Sequence, residues 1–131
     1  MKPLVLDTNV LIRFLERGGD YAETFSAFDR LLIPAAVDGE YRAGIDAVTR
    51  SGQRRQTAFD ALLESSAVEY VPVEREVSLE YAQVFRQLQE KGTPIPQNDI
   101  WIAATARVRH APLCTFDDHF KNVEELELIG L

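Results

Sequence analysis

Pro3-Leu4-Val5-Leu6-Asp7-Thr8-Asn9-Val10-Leu11 decides the fold class of this chain. Pro3 to Leu6 is apolar without alternation, as a strand covered on both faces is. Asp7, Thr8 and Asn9 follow, three residue types that favour helix N-caps and turns. Val10, Leu11, Phe14 and Leu15 continue at helical spacing until Gly18-Gly19. The stretch predicts a buried strand feeding directly into a helix that begins at Asn9. It also puts an acid at the strand's carboxyl end, where open parallel sheets bind their ligands.

The same alternation runs through the rest of the chain. A second helix follows Asp20, with Tyr21, Phe25, Phe28 and Leu32 as its apolar stripe, and a brief strand from Leu31 to Ile33 stops at Pro34. Residues 35–49 and 53–66 predict a helical hairpin broken at Ser51-Gly52. Val68 to Val71, β-branched and followed by Pro72, predicts a strand. Val77, Tyr81, Val84, Phe85 and Leu88 mark an amphipathic helix ending near Lys91-Gly92. After the rigid loop Thr93-Pro94-Ile95-Pro96, a buried helix opens at Asp99. Ala111 to Thr115 predicts a strand, Asp117 to Phe120 a turn, and Leu126 to Ile129 an edge strand. Strands separated by helices need crossover connections, so the expectation is an α/β fold with a parallel sheet between helical layers.

The length of 131 residues fits a single domain, 1–131. Its 14 basic and 21 acidic residues leave a net charge of −7, which at first disfavours a nucleic-acid partner. One cysteine excludes an internal disulfide. No apolar run approaches a membrane span, and the start turns acidic too soon for a signal peptide. A cytoplasmic chain with no membrane partner is expected.

Four acids stand at informative places. Asp7 caps a helix on a local reading, Asp99 favours a helix dipole, and Asp117 suits a turn. Glu40 follows Gly39 in a segment that reads as buried, where a carboxylate needs a cation or a partner. Gathered at one crevice, such groups would repel one another and take up protons. An all-oxygen cluster suits Mg²⁺ or Mn²⁺, and ions so held favour phosphoryl chemistry. Zinc is not expected, because His110 and His119 lack ligand spacing and Cys114 stands alone.

Val5-Leu6-Asp7-Thr8-Asn9-Val10-Leu11, Ala35-Ala36-Val37-Asp38-Gly39-Glu40-Tyr41-Arg42-Ala43-Gly44, Asn98-Asp99-Ile100-Trp101-Ile102-Ala103-Ala104 and Leu113-Cys114-Thr115-Phe116-Asp117-Asp118-His119-Phe120 closely resemble the four motifs of PIN-domain ribonucleases. The nearest resemblance is to VapC-type toxins of toxin–antitoxin pairs. It implies a three-layer sandwich with a parallel five-stranded sheet flanked by helices. It also implies Asp7, Glu40, Asp99 and Asp117 as the catalytic, metal-binding acids. The implied reaction is Mg²⁺- or Mn²⁺-dependent hydrolysis of RNA (tRNA, rRNA or mRNA) to a 5′-phosphate and a 3′-hydroxyl. The implied partners are a small antitoxin and a second copy of the chain. Thr115 matches a Ser/Thr of the fourth motif whose hydroxyl can orient water, and Thr8 can cap or do likewise. Some members carry an acid where this chain has His119.

Arg42, Arg50, Arg54 and Arg55 form the basic concentration, readable as a solvated helix face or as RNA-phosphate contacts. Cys114 reads as core, His110 as a dipole partner at a helix end, and Asp118 as solvated. Tyr21, Phe25, Phe28, Tyr81 and Phe85 are candidates for the core or a dimer interface. Two rivals stand beside the nuclease. One is a PIN-like binding module without catalysis. The other is an aspartate-nucleophile phosphatase, which wants an acid where Asn9 stands and a later lysine that Lys91 and Lys121 are poorly placed to be. Two divalent cations would bring the charge of −7 to −3, so the acidic balance does not exclude RNA.

Overall fold

The structure, a computed structural model, describes residues 2–16 and 21–130. Strand β1 (Pro3–Leu6) passes through Asp7 into helix α1 (Thr8–Glu16), and a short helix α2 (Ala22–Ser26) leads to β2 (Arg30–Pro34). Helices α3 (Ala35–Ala43) and α4 (Arg50–Glu64) precede β3 (Val68–Val71). Helices α5 (Arg75–Lys91) and α6 (Gln97–Val108) then carry the chain back to β4 (Leu113–Cys114), a 3₁₀ turn (Asp118–Asn122) and β5 (Leu128–Ile129).

The five strands are ordered β3-β2-β1-β4-β5 and every pairing is parallel. Helices flank the sheet, as an all-parallel sheet requires for cover. Leu4, Val5 and Leu6 are fully buried, each contributing roughly 1.5–3 kcal/mol. Helix α5 ends at Gly92, whose φ of +74° closes the helix in the left-handed region. Trp101 of α6 packs on Tyr81 of α5 at 4.1 Å between ring centroids. The small residues Ala103, Ala104 and Ala106 are fully buried in α6, which lets its neighbours approach closely.

Chain order runs outward from β1 to β3, then returns to β4 on β1's other side. The reversal lies between β1 and β4, and the crevice beyond their carboxyl ends is the topological switch point. No described helix is long and apolar enough to cross a membrane.

Several expected boundaries moved. Helix α1 begins at Thr8, one residue early, and its expected stop at Gly18-Gly19 lies outside the described residues, as does Asp20. Helix α2 ends at Ser26, so Phe28 and Leu32 are not on it; Leu32 is buried within β2. The hairpin breaks at residues 44–49, not at Ser51-Gly52. Thr49 caps α4 by accepting the Gly52 N–H at 2.9 Å, so Gly52 lies in the first turn. Helix α6 opens at Gln97 rather than at Asp99. Strand β4 is shorter than Ala111 to Thr115, yet its parallel bonding continues through Pro112 O to Val5 N at 2.9 Å and Thr115 N to Ile129 O at 3.3 Å. The edge strand β5 starts only at Leu128, after Glu125 turns at a φ of +55°.

Candidate active site

Asp7 ends β1 and is 3% exposed. Its backbone carbonyl accepts from Val10 and Leu11, starting α1. Its Oδ1 accepts the Thr8 N–H at 2.8 Å, and its Oδ2 accepts the Thr115 hydroxyl at 2.6 Å. Capping therefore occupies one oxygen, while a side chain from β4's end holds the other. Burial pushes the carboxyl up from 3.8 to about 6; the bonds from Thr115 and Thr8 oppose it, and the charges of Asp99 and Asp117 add to it.

Asp99, 8% exposed, stands in the first turn of α6. Burial likewise raises its pKa, against the lowering effect of His119, whose Nε2 lies 2.5 Å from Asp99 Oδ2. Asp117 precedes the 3₁₀ turn and accepts from the Asn9 amide at 3.4 Å. Its own N–H donates to Thr115 Oγ1 at 3.0 Å. The Thr115 hydroxyl thus joins Asp7 to the loop that carries Asp117.

Glu40 departs from its expected setting. It is exposed on α3, where the Thr8 hydroxyl and the Asn98 amide (3.1 Å) both donate to its Oε1. Those contacts aim it at the segment before Asp99 without burying it. The four acids converge on one crevice from four elements. Among the described residues, no lysine or arginine bonds to Asp7 or Asp99.

The fit to a hard divalent cation follows from this donor set. Carboxylates, hydroxyls and side-chain amides face one another, and among the described residues no lysine or arginine neutralises the two buried acids. Asp99, Asp117 and His119 each offer a ligand atom within 4.8 Å of the others. The sequence gives His119 no ligand spacing, but the 3₁₀ turn brings it onto the two acids.

Other candidates fall away from the crevice. Arg42 is committed to Asp38 at 2.9 Å and Asp60 at 2.7 Å, and lies over the Phe59 ring. Arg50 and Arg54 are exposed on α4, while Arg55 lines a hollow of about 150 Å³ with Glu40 and Tyr41. Asp118 is exposed and pairs with Lys121. His110 holds a φ of +50° just past α6. Cys114 is buried, its thiol pushed up to about 12 by burial and then by Asp7, as suits an inert core residue. Tyr21 and Phe25 enter the core, Phe28 and Tyr81 pack at its edge, and Phe85 is exposed.

Three residues had no part in the nuclease site as read from the sequence. Asn9 links the crevice's two sides, donating to Asp117 and accepting the Phe116 N–H at 3.3 Å. This neutral amide sits where an aspartate-nucleophile phosphatase needs an acid. Asn98 supports Glu40. Arg13 stacks its guanidinium 4.8 Å from the Phe116 ring centroid, bringing a cation to the loop before Asp117. The available signal for both asparagines was a place within two residues of a motif acid.

Known proteins agree with this architecture. The family model described as PIN domain matches residues 4–126. A protein named Ribonuclease VapC from Rickettsia bellii is 31% identical over 127 residues, spanning 96% of this chain and 94% of that one. Ribonuclease VapC5 of Mycobacterium tuberculosis is 36% identical over 117 residues, spanning 88% and 84%. A solved member of the VapBC family of toxin-antitoxin systems, VapBC-5 from Mycobacterium tuberculosis, superposes with a TM-score of 0.78 at 28% identity, covering 100% of both chains. On this evidence the chain belongs to the PIN-domain family, among the VapC ribonucleases.

Proposed function

We propose that this chain is a metal-dependent endoribonuclease toxin, neutralised by a small antitoxin protein. The observation that carries the metal dependence is the pair Asp7 and Asp99, buried at the switch point with no lysine or arginine bonded to either among the described residues. Asp7, Asp99 and Asp117 would hold Mg²⁺ or Mn²⁺, with Glu40 completing the set. When bound, such an ion lowers the pKa of a water and offsets charge on the scissile phosphate. The expected products carry a 5′-phosphate and a 3′-hydroxyl.

The chain's own residues set the stage. Thr115 fixes the outer oxygen of Asp7 and the backbone of Asp117, so both carboxylates keep one orientation. Thr8 and Asn98 draw Glu40 towards the crevice, and Asn9 steadies Asp117. Arg55, beside Glu40, and the exposed Arg50 and Arg54 would meet RNA phosphates without reading sequence. The substrate class is RNA: tRNA, rRNA or mRNA. The antitoxin reading is supported by the VapBC toxin-antitoxin system to which a relative belongs; a homodimer acting in the cytoplasm is part of the same proposal.

Cleavage of RNA by the purified chain tests the reading. We expect activity with Mg²⁺ or Mn²⁺, none in excess chelator, and a loss of about 100-fold or more in Asp7→Asn and in Asp99→Asn. Activity that survives chelation would falsify it. For the toxin role, expression should arrest growth and Asp7→Asn should relieve the arrest; equal growth of both strains refutes it.

A further inference from the structure

We infer that His119 is a nitrogen ligand of the cation held by this site, and that it favours Mn²⁺ over Mg²⁺. The inference rests on the metal-nuclease reading and adds a donor to it. His119 Nε2 lies 2.5 Å from Asp99 Oδ2 and 3.8 Å from Asp117 Oδ2. Neighbouring donors on an octahedral ion stand about 3 Å apart, so these spacings bracket what such an ion asks. The ring is one-third exposed and can be reached from the crevice.

Its placement is built into the fold. Phe120, the next residue, is fully buried and anchors the 3₁₀ turn. The Gln87 amide donates to Asn122 O at 2.9 Å, and its Oε1 accepts the Glu124 N–H at 3.1 Å, tying the turn to α5. The Asn122 side chain donates to the His119 carbonyl at 3.3 Å. These contacts hold the imidazole beside two acids that come from α6 and from the end of β4.

The choice of ion follows from the donor. Mg²⁺ prefers carboxylates and water and gives up water reluctantly, whereas imidazole suits transition ions. Replacing one oxygen of an acidic set with nitrogen therefore weakens Mg²⁺ more than Mn²⁺. A competing arrangement keeps His119 as a hydrogen-bonded partner of Asp99 only, with no nitrogen on the ion.

Pulsed electron paramagnetic resonance of the full chain loaded with Mn²⁺ separates the two. We expect nitrogen hyperfine coupling from a directly bound imidazole. It should vanish in His119→Gln with Mn²⁺ still bound, and persist in His110→Gln. By calorimetry, the ratio of Mn²⁺ to Mg²⁺ affinity should fall about tenfold in His119→Asp, which restores an oxygen donor. Bound Mn²⁺ without nitrogen coupling, or coupling that survives His119→Gln, overturns this inference and leaves the nuclease reading standing. No Mn²⁺ binding overturns this inference, and binding of neither Mn²⁺ nor Mg²⁺ overturns both.

Discussion

At Asp7 one carboxylate oxygen turns back to the Thr8 amide while the other receives the Thr115 hydroxyl, and the group still lies too deep to ionise easily. A carboxyl raised from 3.8 to about 6 binds its proton more tightly folded than unfolded. Without metal, the folded protein therefore loses stability as pH climbs from about 4 to about 6, and the loss is complete above that window. Asp7→Asn removes this charge while the Thr115 hydroxyl can turn to accept from the new amide. We predict that the metal-free variant is more stable than wild type at pH 7 by up to about 3 kcal/mol, and no more stable near pH 3. Urea unfolding at the two pH values measures it. A divalent cation should raise the melting temperature of wild type at pH 7 and leave that of Asp7→Asn nearly unmoved.

The elements show where local pattern sufficed and where it did not. Strand β1, the amphipathic α5 and the all-round apolar start of α6 were legible because their burial is encoded within each segment. The motif acids were legible too, since three of them sit at the ends or first turns of such elements. Gly52 was misread, because its role depends on a neighbour rather than on its own flexibility. A Cβ at this position would stand 1.7 Å from the Asp46 carbonyl oxygen, so the glycine admits the 44–49 turn against the first turn of α4. Gly52→Ala should destabilise the fold by about 3 kcal/mol, at the upper end of overpacking costs because backbone must move. A shift in the denaturation midpoint reads this out; an unchanged midpoint contradicts the close approach. Glu40 was expected to be buried because small neighbours surround it in sequence, yet α3 turns that position outward. His119 was marked only by the resemblance, because Asp99 lies 20 residues away and only the 3₁₀ turn brings the two side chains together.

Over the whole molecule, charge is handled in two ways. Glu69 of β3 accepts from Arg109 at 2.7 and 3.0 Å and from Arg30 of β2 at 2.9 Å, joining two strands to the segment after α6. The Arg109 hydrogen bonds, chiefly, hold its carboxyl down at about 2 against an ordinary 4.5. That stabilisation is present above pH 4.5 and drains away as pH falls towards 2. Glu69→Gln should thus cost on the order of 1 kcal/mol at pH 7, after screening at a part-exposed site, and nothing near pH 2; acid titration of both proteins checks it. Among the described residues the acids of the crevice bond to no lysine or arginine, so on the proposed reading RNA affinity should depend on added cations and on the α4 arginines. Arg50, Arg54 and Arg55 changed together to Ala should weaken RNA binding and flatten its salt dependence; unaltered binding assigns them to a solvated face. The sheet order has a consequence in time. Asp7 is made before the hydroxyl that orients it, which follows 108 residues later. Its central strand has one edge open until β4 is made. The hydrogen bond that orients Asp7 can therefore form only after nearly the whole described chain has been made.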